Sequence, residues 1–150
     1  MTAIIEIPKG DDRRRHMKYD KSGFIDLGPT KDVIPVNDGV MPIHYGYIPD
    51  TLNVGEGDEI DVLIFSKKDL SVGEEVEIYP IALINRADGD DKIVAVDDTV
   101  DYKTWSDAPK SDRELVEKFF SYHHEFKSIQ DAALATQYVE DGYAQFLLKN

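Results

Sequence analysis

The chain has no cysteine among its 150 residues, which excludes disulfides and thiolate-held metals. It has no apolar run near the roughly 20 residues that a membrane-spanning helix requires. Its opening, MTAIIEIPKG, offers too short an apolar stretch and no basic leader for a secretory signal. A soluble cytoplasmic protein is the expectation. Positive charge is scarce: 17 Lys and Arg stand against 30 Asp and Glu, a net charge of −13. So large an acidic excess argues against general binding to nucleic acid or anionic membrane, because the summed field repels polyanions. An anionic substrate needs local cations or metals to invert that field. No HExxH, P-loop, GxSxG or dinucleotide fingerprint occurs. There is no internal repeat and no low-complexity tract.

What is present fits a globular protein: 41% hydrophobic and 10% aromatic residues in a length that suits one domain, residues 1–150. The densest feature is GYIPDTLNVGEGDEID at 46–61, which places Glu56, Asp58, Glu59 and Asp61 within six residues. Tyr45 and Tyr47 precede it, and the apolar run Val62-Leu63-Ile64-Phe65 follows. Carboxylates crowded at the mouth of a buried strand repel one another and lose hydration. A hard divalent cation such as Mg²⁺, which prefers oxygen ligands, relieves both costs.

Ala3 to Ile7 is a short β-type run, in which Glu6 is either an exposed edge position or a functional residue. Arg13, Arg14, Arg15, His16 and Lys18 form the densest basic cluster. It reads as a solvated loop or as the place where an anion docks, since Arg matches phosphate with a planar fork of donors. Ser22-Gly23 is a turn, and Phe24 to Leu27 a return strand of a hairpin. Residues 30–43 read as loop. Val62–Phe65 and Ile93–Val96 read as buried strands. Between them Val76 to Ile84 is another strand, with a bulge or an edge at Pro80. The acidic turn NRADGDDK at 85–92 precedes Ile93. Two apolar runs therefore each abut a carboxylate-rich turn, and both turns can face one place. Ser111-x-x-Glu114 has capping-box spacing, and Leu115, Phe119, Tyr122 and Phe126 recur at helical intervals, which places His123-His124 on that helix. A second helix is expected from after Ser128 to about Leu148. The pattern is that of an α+β domain, with the short strands favouring a small barrel.

Hydrolysing a phosphoanhydride requires neutralised phosphate oxygens, an activated water and a stabilised leaving phosphate, and divalent metals serve all three. The chain offers acids at 56–61 and 88–91, bases at 13–18, and Lys92 beside the second acid group. Acidic turns after strands also arise for purely structural reasons. Neither turn fits an EF-hand loop, since Ile93 falls where the loop glycine is required. The four histidines lack zinc-site spacing.

EIPKG at 6–10, HYGYIPDTL at 44–52, GDEID at 57–61, DDKIVAV at 90–96 and the Phe119-Phe120 pair together resemble the soluble family I inorganic pyrophosphatases. The motifs follow that family's order over most of the chain, and the central block is the specific one. The resemblance implies a five-stranded OB-like barrel with two C-terminal helices packed on it. It implies hydrolysis of pyrophosphate to two phosphates, two or more Mg²⁺ ions (with Mn²⁺ as a substitute), and a homo-oligomer. Glu56, Asp58 and Asp61 match the acids of the central motif. Asp58 matches the carboxylate that takes the proton of the attacking water, and Asp61 the one that bridges two metals. Asp90 and Lys92 match the D-x-K metal ligand and phosphate-binding lysine. Asp88 matches the hairpin's other acid with a shortened turn, whereas an ungapped match places Asn85 there. Tyr45 matches the phosphate-site tyrosine and Glu6 the N-terminal active-site glutamate.

The departures lie on the phosphate side. Where the family has K-Y-E, this chain has RRRHMK. One count sets Arg15 and Met17 at the family's Lys and Glu, and another sets His16 and Lys18 there. The family's following Asp-Arg has no clean match; Lys31 is the nearest cation. His123 and His124 replace a Tyr-Lys pair, with Tyr122 and Lys127 nearby. The resemblance thus implies metal binding by Glu56, Asp58, Asp61, Asp88 and Asp90, and phosphate binding by Arg15, Lys18, Tyr45, Lys92, His124 and Lys127. A histidine in the lysine's place binds phosphate best when protonated. The alternatives are hydrolysis of another phosphoanhydride, or a catalytically silent acidic barrel that binds divalent cations.

Overall fold

The computed structural model describes residues 1–17, 22–53 and 57–149. Among these, nine strands and two α-helices are found. The strands are β1 (Thr2–Ile7), β2 (Arg13–Met17), β3 (Phe24–Pro29), β4 (His44–Asn53) and β5 (Asp58–Phe65), then β6 (Glu75–Glu77), β7 (Tyr79–Arg86), β8 (Lys92–Val96) and β9 (Phe126–Gln130). The helices are α1 (Lys110–Phe120) and α2 (Ala132–Lys149). Seven strands form one sheet in the order β6-β1-β4-β5-β8-β7-β9, and β2 and β3 form a separate hairpin.

The continuous apolar runs occupy the sheet centre, where both faces are covered. Along β5, Ile60, Val62 and Ile64 join a core cluster with Ala135 and Val139 of α2. Leu63 and Phe65 join the opposite cluster, with Val116, Phe119 and Phe120 of α1. The two-residue alternation of a strand thus places Asp61 on the α1 side. On β8, Val94 and Val96 face the same side, which brings Lys92 there too. The β5–β8 pair is parallel, and its register sets Asp61 directly beside Lys92. No helix among the described residues is long and apolar enough to cross a membrane.

Two local irregularities aim side chains at this face. Between Ile5 and Ile7 the β1–β4 register shifts by one residue, which makes Glu6 the extra residue of a bulge. Gly46 lies opposite, where a Cβ would collide with the Ile4 carbonyl oxygen, so glycine is required for the two backbones to approach. A second bulge separates Arg14 from Arg15 in the hairpin.

Several expectations are corrected. Among the described residues the sheet is not a closed five-stranded barrel. It is open, with β6 and β9 at its edges, because β6 extends it beyond β1 and β9 beyond β7. The α+β expectation holds, with a mostly antiparallel sheet as the core and two α-helices. The Ser111–Glu114 capping box does not form. The helix begins directly after Pro109, without a side-chain cap, and Ser111 falls inside its first turn. The reciprocal box belongs to Thr104 and Asp107, around the short 3-10 turn Trp105–Asp107. His123 and His124 are not helical. The Ser121 N–H closes α1 on the Glu117 carbonyl, and the chain then enters β9. Ile129 is accordingly a strand residue paired with Ile84. Helix α2 starts later, with Asp131 Oδ1 accepting the Leu134 N–H at 3.1 Å. Pro80 does lie at a bulge, but on an interior strand. Glu6 is not an edge position: β1 lies between β6 and β4, and the residue is 4% exposed.

Candidate active site

A cavity of about 370 Å³ opens on the α1 side of the sheet, between the sheet and the β2–β3 hairpin. Its acidic wall contains Glu6, Asp58, Asp61 and Asp90, and its cationic groups include Arg14, Arg15, Arg86 and Lys92. The aromatic floor is Tyr45 stacked on Phe120, with centroids 5.9 Å apart and planes at 13°.

Lys92 is the hub. Its Nζ donates to Asp61 Oδ2 at 2.9 Å, to Asp90 Oδ2 at 3.3 Å and to the Tyr45 hydroxyl at 3.4 Å. The Lys92 side chain is 5% exposed, so this ammonium neutralises the two aspartates at close range in a poorly screened setting. Asp90 is shared: Arg86 Nη1 reaches the same Oδ2 at 3.2 Å. Burial raises the Asp90 pKa despite Lys92, with Asp61 adding to the rise. Burial likewise lifts the Tyr45 phenol well above its usual value, with Asp61 and Glu6 reinforcing it.

Glu6 accepts the Met17 N–H at 3.1 Å. Its pKa is pushed up to about 7, first by burial and then by Asp61, against the pull of His16. Asp58 stands at the rim. Its Oδ1 accepts the Glu59 N–H at 2.8 Å, and its Oδ2 lies 3.1 Å from His16 Nε2. Burial pushes the Asp58 carboxyl up, but hydrogen bonding with Glu59 and pairing with His16 outweigh it and hold the pKa low. His16 Nδ1 faces the Met17 carbonyl at 2.8 Å. Both ring nitrogens thus face acceptors, which the doubly protonated imidazolium satisfies. Burial lowers the His16 pKa, yet the Met17 carbonyl, Glu6 and Asp58 together raise it.

The predicted residues do not all meet here. Asp58, Asp61, Asp90, Tyr45, Lys92, Glu6 and Arg15 line the one cavity. Arg15 is held at its mouth by Asp11, at 2.7 Å. Asp88 and Lys127 instead line a separate groove with Asn85 and Ser128. Asp88 touches the main site through Arg86 Nη1, 3.8 Å away. His124 lies 3.6 Å from Asp88, whereas it is His123 that lines the cavity, bonded to the Val33 carbonyl at 2.8 Å. The lost helix accounts for this exchange, since the turn after Phe120 sends the two imidazoles to different sides. Glu56 and Lys18 lie outside the described residues. Arg86 and Thr30 line the cavity without having been predicted, and Arg14 of the basic cluster lines it too. For Arg86 the available signal was strand alternation, since it is two residues beyond the core residue Ile84.

Among the described residues no three acids or histidines are grouped closely enough to hold a metal. Lys92 and Arg86 are interposed between the carboxylates. The donor set nonetheless suits a hard divalent cation, being all oxygen. Burial is the main cause of the raised Glu6 pKa, and Asp61 adds to it, so carboxylates still repel one another in the cavity beside Lys92. The residues present therefore fit Mg²⁺.

A mostly antiparallel sheet with carboxylates and cations around one cavity suits a class of protein, those that bind anionic oxygens. The chain belongs, within that class, to the inorganic pyrophosphatase family, whose model matches residues 3–148. It is 31% identical over 139 residues to an inorganic pyrophosphatase of Sulfolobus acidocaldarius, covering 85% of this chain and 75% of that one. The crystal structure of an inorganic pyrophosphatase from Ehrlichia chaffeensis superposes with a TM-score of 0.82 at 26% identity, over 95% of this chain and 92% of that one. One from Neisseria gonorrhoeae gives 0.84 at 24% identity over 98% and 91%, a likeness of fold.

Proposed function

We propose that this chain hydrolyses inorganic pyrophosphate to two phosphates with Mg²⁺, as a cytoplasmic, single-domain, self-associating enzyme. The observation that carries the reading is the convergence of Asp58, Asp61 and Asp90 with Lys92 and Arg15 on one cavity. Asp58, Asp61 and Asp90 would hold the metal, joined by Glu56 and by Asp88 from the hairpin. The chemistry that bound Mg²⁺ supplies is neutralisation of phosphate oxygens and activation of the attacking water. Asp58, ionised at neutral pH, accepts that water's proton as the new O–P bond forms. The bridging oxygen leaves with the other phosphorus, and the proton passes to the departing phosphate. Lys92, Tyr45 and Arg15 orient the phosphates and meet their charge, with Lys18 assigned to the same set; His124 and Lys127 lie by Asp88 and the neighbouring groove, apart from this cavity. Exposed Leu134, Leu147 and Leu148 on α2 support self-association, since such residues are commonly covered in an oligomer.

The test is phosphate release from pyrophosphate, measured with Mg²⁺ and then with excess chelator. Turnover that the chelator abolishes is expected. Absence of release with Mg²⁺ or Mn²⁺ overturns the reading, and preference for a nucleoside triphosphate over pyrophosphate reassigns the substrate.

A further inference from the structure

Two buried polar groups of the cavity have no partner: Arg86 Nε and Thr30 Oγ1 make no hydrogen bond among the described residues. Both residues line the same cavity. The Arg86 side chain is 10% exposed. Its Nη1 is committed to Asp90, lying 3.2 Å from the carboxylate and 3.4 Å from the carbonyl. The opposite edge of the guanidinium, with Nε, is left over. A buried charged donor without an acceptor is costly, and an entering anion removes that cost. The strand fixes the direction: Ile84 belongs to the core cluster on the α1 side, and Arg86, two residues on, points the same way.

We infer that Arg86 is a substrate-binding residue of this site, with its Nε edge and the Thr30 hydroxyl donating to phosphate oxygens of the diphosphate. This rests on the pyrophosphatase reading and deepens it. Asp90 and Asp88 hold the Nη1 end, so the guanidinium is oriented before the anion arrives. A preoriented fork loses less freedom on binding than a free side chain. The arginine comes from the metal-side hairpin, so one strand end serves both halves of the site. The competing role is internal counter-ion, in which Arg86 merely neutralises Asp88 and Asp90.

Calorimetry with imidodiphosphate, a non-hydrolysable diphosphate, separates the two roles. It is run on the full chain with Mg²⁺ saturating, beside a separate Mg²⁺ titration without the anion. Arg86→Gln should weaken imidodiphosphate binding on the order of 10- to 100-fold, the loss of a charge-assisted hydrogen bond. Mg²⁺ affinity should hold or tighten, since two carboxylates lose a competitor. Arg86→Lys keeps the charge beside Asp88 and Asp90 but lacks Nε, and should also weaken the anion. It decides the matter if Arg86→Gln does not fold. Anion affinity within twofold of wild type in the folded variants overturns the inference, as does a loss matched by an equal loss of Mg²⁺ affinity. Wild-type protein that neither binds imidodiphosphate nor releases phosphate overturns the pyrophosphatase reading, and this inference with it. Wild-type turnover with unchanged Arg86 variants overturns this inference alone.

Discussion

Lys92 and Asp61 are neighbours in the parallel β5–β8 register, and their side chains meet at 2.9 Å. The pair joins the carboxylate wall to the cationic side of the cavity, where Lys92 is proposed to meet phosphate. With Asp90 also on Lys92, one ammonium serves two carboxylates.

Removing that ammonium should expose a metal-dependent stability. Lys92→Met leaves Asp61 and Asp90 without their shared cation, at a cost of about 1–3 kcal/mol in chelator, Asp61 being partly exposed to solvent. Added Mg²⁺ should restore most of the loss, because a cation that binds only the folded state stabilises it by mass action. Thermal melts of variant and wild type, each with and without Mg²⁺, measure this. Equal stabilisation of the two by Mg²⁺ contradicts the account.

Asp58 supplies a kinetic prediction. Asp58→Asn keeps the shape and the Glu59 hydrogen bond but cannot take a proton. Its pairing with His16 is exposed on both sides and contributes little to stability. The variant should melt within a degree or two of wild type while turnover falls on the order of 10²- to 10⁴-fold, the usual contribution of a positioned base. Near wild-type turnover would remove Asp58 from the role of base.

His44 gives a pH prediction away from the proposed metal site. Its Nδ1 accepts the Lys9 N–H at 2.9 Å, so Nε2 carries the proton and donates to the Lys68 carbonyl at 3.2 Å. Burial pushes the ring's pKa below its usual value, with the Lys68 carbonyl opposing. A depressed histidine binds fewer protons folded than unfolded. Its contribution to stability is therefore full above about pH 6.5 and is lost as pH falls toward the folded value. Glu6 and His16, whose pKa values are raised, act in the opposite sense: their contributions are lost as pH rises through the folded values. The difference between wild type and His44→Gln isolates the effect. In urea titrations with chelator, the wild type should lose stability relative to the variant between pH 7 and pH 5. A pH-independent difference contradicts the prediction.

The strands were legible wherever one physical signal dominated. Val62–Phe65 and Ile93–Val96 are apolar on both faces, and they form the buried sheet centre. That Asp58 and Asp61 would meet Asp90 was also legible, since each turn abuts such a run, but Asp88 lines a separate groove. The Asp61–Lys92 contact was not, because it depends on which strands pair and in what register. Glu6 looked like the polar half of an alternating strand, and only the bulge at that residue turns it inward. The helix end was obscured by coincidence. Tyr122 and Phe126 continue the helical interval of Leu115 and Phe119 although the chain leaves the helix at Phe120. Arg86 was hidden by its company, as an arginine beside Asp88, Asp90 and Asp91 reads as a solvated turn.

The parallel pairing of β5 with β8 also bears on when the site comes into being. Asp61 and Lys92 are separated by 31 positions, and β7 fits between β5 and β8 in sequence but lies on the far side of β8 in the sheet. The crossover must close before these residues meet, and non-local closures of this kind are the slow steps of folding. On this ground the β4–β5 and β7–β8 hairpins are expected to form before the cavity, and turnover to return after sheet content in a refolding time course. A chain nicked in the crossover should lose turnover before it loses sheet content.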